Sequence, residues 1–171
     1  MELETLRHEV DIIDDKILEL LIERNAKASE VARCKAEGGV PVFDPSREDM
    51  ILERMSGNLT PEDKNSIKLL FEIVMDLNRL HEYEKRPKEF EHHTDLGGLS
   101  VRAVIKDTPR AICRYISPLA AADVSISDIR SQALPGGKLM VELELEGDLK
   151  EKSFAAAISV LADASSSFQL L

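Results

Sequence analysis

A chain of 171 residues with a formal net charge of −10 is long enough for one or two domains with a real hydrophobic core. No stretch approaches the about 18 consecutive apolar residues of a membrane span, and the acidic balance argues against nucleic acid or an anionic membrane surface as a partner. The acidic, helix-like start does not resemble a signal peptide, and Cys34 and Cys113 lie in different predicted helices. We therefore expect reduced thiols, no disulfide and a cytoplasmic location.

Residues 3 to about 85 have the three- and four-residue spacing of amphipathic helices. The first predicted helix ends near the sequence GGVP at 38–41, since glycines close helices and proline cannot extend them. The second begins at Asp44, directly before a proline, and runs to about Ser56. The third has Thr60 as its cap. The apolar stripe of the first helix is Leu6, Val10, Ile13, Ile17, Leu20, Ala28 and Val31, and that of the third is Ile67, Leu70, Phe71, Val74 and Leu77.

The polar segment KRPKEFEHHTDLGG separates this helical part from a part with a different period. The second part is predicted to contain a strand at 99–105, a helix at 108–122, strands at 124–134 and 138–147, a helix at 149–162 and a short strand at 166–171. The order βαββαβ indicates a ferredoxin-like α+β domain. We predict an all-α three-helix domain at 1–86, a linker at 87–97 and the α+β domain at 98–171.

The first predicted helix is too long for the two shorter helices to cover. At 1.5 Å per residue it extends about 50 Å, and a lone helix cannot bury its own apolar stripe. A second subunit is the natural cover for the rest. The helical part is therefore expected to form an intertwined homodimer, and dimers that pair further into tetramers stay an alternative.

Cations interrupt the apolar face of the first helix. Arg24 and Lys35 are eleven residues apart, almost three turns, and therefore share a face that continues the apolar stripe. Buried cations are costly unless anions meet them, although long side chains can also extend to solvent. Arg7 lies 17 residues before Arg24, or about 25 Å along the axis. If Arg7 serves the same small ligand, it must come from the antiparallel helix of another chain.

Further polar groups accompany these cations on the other two helices. Asn78 and Glu82 replace apolar residues on the stripe of the third helix, and Asp44, Arg47 and Glu48 lie within one turn at the start of the second. The set contains no nucleophile–base pair. Fixed positive charge with hydrogen-bonding groups suits a small dianion held by arginines. It also suits a reaction that depends on positioning and electrostatic stabilisation.

The run LRHEVDIIDDKILELLIERNAKASEVARCKAEGGVPVFDPSRE, with NRLHEYE in the third helix, resembles the all-helical class of chorismate mutases over residues 3–85. The resemblance implies an intertwined dimer with two sites, each of which takes one arginine from the partner chain. It implies an intramolecular Claisen rearrangement of chorismate to prephenate, in phenylalanine and tyrosine biosynthesis, with no cofactor and no metal.

The resemblance also implies a role for each site residue. Arg24, Arg47 and the partner's Arg7 would bind the two carboxylates of the substrate. Lys35 would contact a carboxylate and the ether oxygen, where negative charge grows as the C–O bond breaks. Glu48 and the backbone at Asp44 would hold the ring hydroxyl.

Two positions depart from the commonest family pattern. Family members often have Ser where Asn78 stands, and the position of Glu82 is Gln or Glu. Glutamine donates to the ether oxygen at any pH, whereas a carboxyl group must be protonated to donate. We therefore expect Glu82 to be catalytic only when it is neutral, with activity that rises toward acidic pH.

The βαββαβ part resembles an ACT domain, a regulatory module that commonly binds amino acids at a dimer interface. The resemblance is thinner, because Arg110 stands where the family has a glycine at the first strand–helix turn, and Ser125 stands where an asparagine is common. Asp107, Arg110 and Ser125 are the candidates for binding an effector, and an aromatic amino acid is the expected one. A dimerisation module without a ligand is the alternative.

Two other functions stay open for the whole chain. One is an isochorismate-pyruvate lyase, which would use much the same cations on the same helical scaffold. The other is a non-catalytic amino-acid-sensing subunit whose helices only dimerise or dock on a partner.

Overall fold

The computed structural model describes residues 2–86, 88–90 and 98–171. Its elements are, in chain order, α1 (Leu3–Glu37), α2 (Pro45–Ser56), α3 (Pro61–Tyr83), β1 (Gly98–Lys106), α4 (Ala111–Ala121), β2 (Ser125–Leu134), β3 (Lys138–Glu146), α5 (Lys152–Asp163) and β4 (Ser167–Leu170). The predicted fold class, three helices followed by a βαββαβ α+β part, is confirmed. Within the described residues, no helix combines the length and the apolar character needed to cross a membrane.

The chain divides into two compact units, one ending at Pro41 and the other formed by Val42–Leu171. The first unit contains α1, and the second contains α2, α3 and the whole α+β part. Of the predicted linker at 87–97, only 88–90 belong to the described residues. The predicted domain division at 86–98 stays a prediction.

Side-chain caps explain where two of the helices begin. The Asp44 carboxylate accepts a hydrogen bond from the backbone N–H of Arg47 at 3.0 Å, and the Thr60 hydroxyl accepts one from the N–H of Asp63 at 3.2 Å. A proline follows each cap at the first helical position, where its missing N–H costs nothing. The start of α2, which contains three of the predicted site residues, is thus defined by the local sequence.

The four strands form an antiparallel sheet in the order β2-β3-β1-β4. β1 lies in the interior, with Val101 opposite Leu143 of β3 on one side and Leu170 of β4 on the other. Alternate residues of β1 point into the core, namely Leu99, Val101, Ala103 and Ile105. One face of the sheet therefore packs on helices, and the other has a polar pattern.

The helix α5 is buried along almost its whole length, from Phe154 to Leu161. It packs beside α4 and contacts α3, while its apolar residues join the core formed by the strands. Val42, Leu80 and Tyr83 belong to the same core. The second unit therefore has three layers, with α3 outside the layer formed by α4 and α5.

The buried face of α3 matches the apolar stripe predicted for it only in part, since Val74 is buried and Ile67, Phe71 and Leu77 are partly buried. Leu70 of that stripe is 48% exposed, whereas the charged residues Glu72, Asp76 and Arg79 are buried. The reason is tertiary, since charged groups on α4, α5 and α2 compensate this polar face. The apolar pattern alone does not reveal which face a helix buries when the partner surface is itself charged.

Two glycines, one after a strand and one after a helix, have different surroundings. A Cβ on Gly147, which follows β3, would lie 2.2 Å from the buried ring of Phe154. A Cβ on Gly57, which follows α2 in a right-handed helical conformation, would meet the Glu53 carbonyl oxygen at 3.5 Å, an ordinary contact. Only the first position requires a glycine for lack of space.

Candidate functional site

Two predicted site residues lie on one face of α1. The partly buried residues of this helix, among those described, are Leu21, Arg24, Ala28, Ala32 and Lys35. The Nη1 atom of Arg24 is buried and has no hydrogen-bond partner within the described part of the chain. Burial also lowers the pKa of the Arg24 guanidinium from its ordinary value. A buried cationic donor of this kind is suited to an anion.

The rest of α1 exposes its apolar residues to solvent. Leu6 is 41% exposed and Ile17 is 48% exposed, and the other large residues of the predicted stripe are similarly open. Arg7, in the same region, is exposed and forms a 2.7 Å ion pair with Glu4. Contiguous exposed apolar surface of this extent is typical of an interaction surface.

The start of α2 brings Asp44, Arg47 and Glu48 together. Asp44 and Arg47 are exposed, and the Asp44 side chain is engaged in the helix cap. The Glu48 side chain is only 13% exposed and points toward other charged groups of the second unit. These three residues therefore share a turn but differ in environment.

Near the end of α3, Asn78 and Glu82 lie one turn apart and are partly buried. The Asn78 amide donates to the Val74 carbonyl at 2.6 Å, which holds the side chain against its own helix. The Glu82 carboxylate is 11% exposed and accepts a hydrogen bond from the Arg86 guanidinium at 3.2 Å.

A cluster of buried charges surrounds Glu48, and we call it the ion cluster. Its arginines are Arg79, Arg110 and Arg114, and its carboxylates are Glu48, Glu72, Asp76 and Asp163. Arg79 lies at its centre, with its side chain 6% exposed. It contacts Glu48 at 3.3 Å, Asp163 at 3.9 Å and Asp76 through a short hydrogen bond. Its guanidinium also lies 4.5 Å from the centre of the Phe43 ring.

Burial raises the pKa of both Glu48 and Asp76, and the neighbouring Arg79 acts in the opposite direction on each. Burial together with the hydrogen bond to Asp163 raises the pKa of Tyr83. The arginines of the ion cluster therefore offset part of the cost that desolvation places on the charged form of these carboxylates.

Glu48 and Arg110 are predicted from the sequence as site residues, but Arg79, Arg114 and the carboxylates Glu72, Asp76 and Asp163 are not. A signal was present, because Glu72, Asp76 and Arg79 are spaced by four and three residues within the apolar run of α3. Arg110 and Arg114 have the same spacing at the start of α4. Charged residues that share a face in an otherwise apolar helix indicate a charged partner surface.

The candidates for effector binding have different surroundings. Arg110 contacts α3, with hydrogen bonds to Asn65 at 3.3 and 3.4 Å and an ion pair with Glu72 at 3.7 Å. It lines a cavity of about 760 Å³ together with residues of α2, α3 and the turn before α4. The Asp107 N–H donates to the Gly137 carbonyl at 2.9 Å, and Ser125 is exposed at the start of β2. Among these candidates, Arg110 is the residue at a concave surface.

No group of three or more His, Cys, Asp or Glu side chains among the described residues is arranged to hold a metal ion. Cys34 and Cys113 are both free and exposed.

Comparison with known proteins identifies the helical part. The family model described as chorismate mutase type II matches residues 6–83. A chorismate mutase of Methanocaldococcus jannaschii is 38% identical over 81 residues, which cover 46% of this chain and 81% of the relative. The chain belongs to the chorismate mutase family.

Longer similarity is found with bifunctional enzymes. The bifunctional chorismate mutase/prephenate dehydratase of Pseudomonas aeruginosa is 32% identical over 152 residues, which cover 85% of this chain and 40% of the relative. The chain thus spans well under half the length of that relative. A solved prephenate dehydratase from Arthrobacter aurescens, in complex with L-Phe, has a TM-score of 0.41 and 22% identity, covering 50% of this chain and 29% of the other.

We expect the raised pKa of Asp76 to make stability depend on pH. The folded state binds the Asp76 proton more tightly than the unfolded state, so this residue's contribution to the free energy of unfolding falls as the pH rises above its ordinary value of 3.8. In Asp76→Asn this fall is absent. The unfolding free energy of the variant minus that of the wild type therefore increases with pH, which urea titrations from about pH 4 to about pH 7 would measure. Asp49→Asn, which removes an exposed carboxylate from α2, is the matched control; an equal trend there would contradict the role of burial.

Proposed function

We propose that this chain catalyses the rearrangement of chorismate to prephenate. The observation that carries the proposal is the buried, unpaired Nη1 of Arg24 on the same helix face as Lys35, in a chain of this family. The relative from M. jannaschii, most of whose length this chain covers, bears the name chorismate mutase.

In the proposed reaction, the ether C–O bond of the substrate breaks while a C–C bond forms within the same molecule. No group leaves, so the protein acts by holding the folded conformer and by stabilising charge. Arg24, Arg47 and the partner's Arg7 hold the two carboxylates, and Lys35 donates to the ether oxygen as its charge grows. Glu48 and the Asp44 backbone hold the ring hydroxyl, and Asn78 and Glu82 complete the polar wall.

We expect Arg24→Ala and Lys35→Ala each to lower kcat/KM for chorismate by about a hundredfold or more, because each removes a charged donor from the transition state. The loss of chorismate absorbance measures this directly. Lys27→Ala and Arg33→Ala are matched controls, since both residues are exposed cations on α1 that pair with their own helix. Equal rates in all four variants would contradict the proposal.

The same assay separates the alternative functions. A lyase would consume isochorismate and release pyruvate, with little turnover of chorismate. A non-catalytic sensor would consume neither compound, and Arg24→Ala would leave its partner binding intact.

We further propose that the active form is a homodimer with sites shared between chains. The exposed apolar residues of α1 support this, because a second copy of the helix would cover them. Arg7 lies in the exposed region, about 25 Å from Arg24 along the helix, and so reaches an Arg24 site only from another chain.

A mixing experiment tests the shared site. Arg7→Ala and Arg24→Ala dimers should each be nearly inactive, but re-paired mixtures contain heterodimers with one intact site and one doubly altered site. Random re-pairing of equal amounts should therefore restore about a quarter of the wild-type activity. Mixing Arg24→Ala with Lys35→Ala is the control, because Lys35 and Arg24 serve the site from the same chain and no intact site forms. Restoration in the control alone, or in neither mixture, would contradict a site shared through Arg7.

We propose that the protonated carboxyl group of Glu82 donates a hydrogen bond from its O–H to the ether oxygen of the substrate. The wild-type rate should then fall as the pH rises, whereas Glu82→Gln, whose amide donates at any pH, should keep its rate. The pH dependence of kcat for both proteins tests this, with Glu84→Gln as a neighbouring control. Identical profiles for wild type and Glu82→Gln would remove the idea.

We also propose that an aromatic amino acid binds at the α+β part and regulates the mutase. Of the three candidates Asp107, Arg110 and Ser125, Arg110 lines the cavity beside the β1–α4 turn and has the cationic side chain that binds a carboxylate. We expect phenylalanine or tyrosine to raise the melting temperature and to lower the mutase rate, and Arg110→Ala to abolish both effects. No response to phenylalanine, tyrosine or tryptophan would favour a dimerisation module without a ligand.

The free, exposed cysteines are compatible with the proposed reducing, cytoplasmic setting.

A further inference from the structure

The Glu48 carboxylate is held from two sides by arginines of different helices. Its Oε1 lies 3.3 Å from Nε of Arg79 on α3, and its Oε2 lies 3.6 Å from Nη2 of Arg114 on α4. Because each oxygen faces its own guanidinium, rotation of the carboxylate would separate at least one charge pair. The Glu48 side chain is therefore oriented by its partners as well as by its own helix.

The guanidinium of Arg114 is itself anchored on α3. It lies 3.6 Å from Glu72 and 3.8 Å from Asp76, and Asp76 also bonds to Arg79. A guanidinium that is already held by two carboxylates loses little further conformational freedom when it pairs with a third, and can therefore orient that third carboxylate. Arg114 thereby joins Glu48 of α2 to the helix that follows the first strand of the sheet.

We propose that Arg114 is a positioning residue for the mutase reaction, which it serves from the α+β part by holding Glu48 in the orientation that binds the substrate hydroxyl. The inference rests on the proposed function for its link to catalysis. The inference goes beyond the proposed function because it assigns a role in the reaction to a residue of α4, outside the segment that the family model covers.

The charges around Glu48 give this inference a readout apart from rate. The titratable or charged groups that act on Glu48 are Arg79 and Asp76 of α3, Arg114 of α4 and Asp163 of α5. Arg114 and Arg79 favour its ionised form, while burial and the two aspartates oppose it. Loss of Arg114 should therefore raise the pKa of Glu48.

The test compares Arg114→Met, Arg114→Lys and Lys88→Met in the full chain. Arg114→Met should lower kcat/KM about tenfold or more in the wild-type background, and by much less in a Glu48→Gln background, where the partner is already absent. Arg114→Lys keeps the charge and should recover part of the loss. Lys88→Met removes a cation that pairs with Asp163 at 2.5 Å but does not touch Glu48, and should leave kcat/KM unchanged.

Carbon-13 NMR of labelled glutamate, followed across pH, gives a second readout that needs no substrate. A raised Glu48 pKa in Arg114→Met, with wild-type behaviour in Lys88→Met, supports the inference. If the wild type is active and Arg114→Met lowers kcat/KM by the same factor in the wild-type and Glu48→Gln backgrounds, the inference is overturned. An equal loss would mean that Arg114 acts on the structure independently of Glu48. If the wild type consumes no chorismate, the proposed function is contradicted. If, in addition, the titration of Glu48 is unchanged in Arg114→Met, the interaction between Arg114 and Glu48 is contradicted as well.

Discussion

The arrangement of the second unit depends on the ion pairs that Arg79 forms near the C-terminal end of α3. Its guanidinium is almost fully buried and contacts carboxylates of three helices, namely Glu48, Asp76 and Asp163. Removing charges from water costs several kcal/mol per ion, and only close partners of opposite sign offset that cost. The helices that supply those partners must therefore stay where they are for α3 to remain buried.

These ion pairs join α2 and α3, which belong to the helical part of the chain, to the α+β part. The family resemblance ends near the end of α3, yet the polar face of α3 is completed by Arg110 and Arg114 of α4 and by Asp163 of α5. The apolar core crosses the same line, since Leu80 and Tyr83 belong to the cluster built by the strands and α5. The α+β part thus supplies contacts to α2 and α3, and any ligand that shifts α4 would act on the charges beside Glu48.

The sequence predicts the architecture well because local signals define it. The capped starts at Asp44 and Thr60, the alternation in the strands and the glycine turn after β2 each depend on neighbours in the chain. Those local signals do not predict which face of α3 is buried, because Glu72, Asp76 and Arg79 can be buried only if residues distant in the sequence carry the opposite charge. The site shows the same division. The face of Arg24 and Lys35 follows from helical spacing, whereas the environment of Glu48 depends on Arg114, 66 positions further along the chain.

The two glycines beside helix and strand ends set different limits on engineering this chain. Replacing glycine by alanine usually stiffens the unfolded chain and gains about 0.4–1 kcal/mol where the native backbone accepts a side chain. Gly57 meets that condition, with a right-handed backbone and room for a methyl group. At Gly147 the methyl group would overlap the ring of Phe154, which is almost fully buried in the core. Substitution of Gly57 by alanine should therefore be a route to more thermostable variants, whereas selection for stability at position 147 should retain glycine.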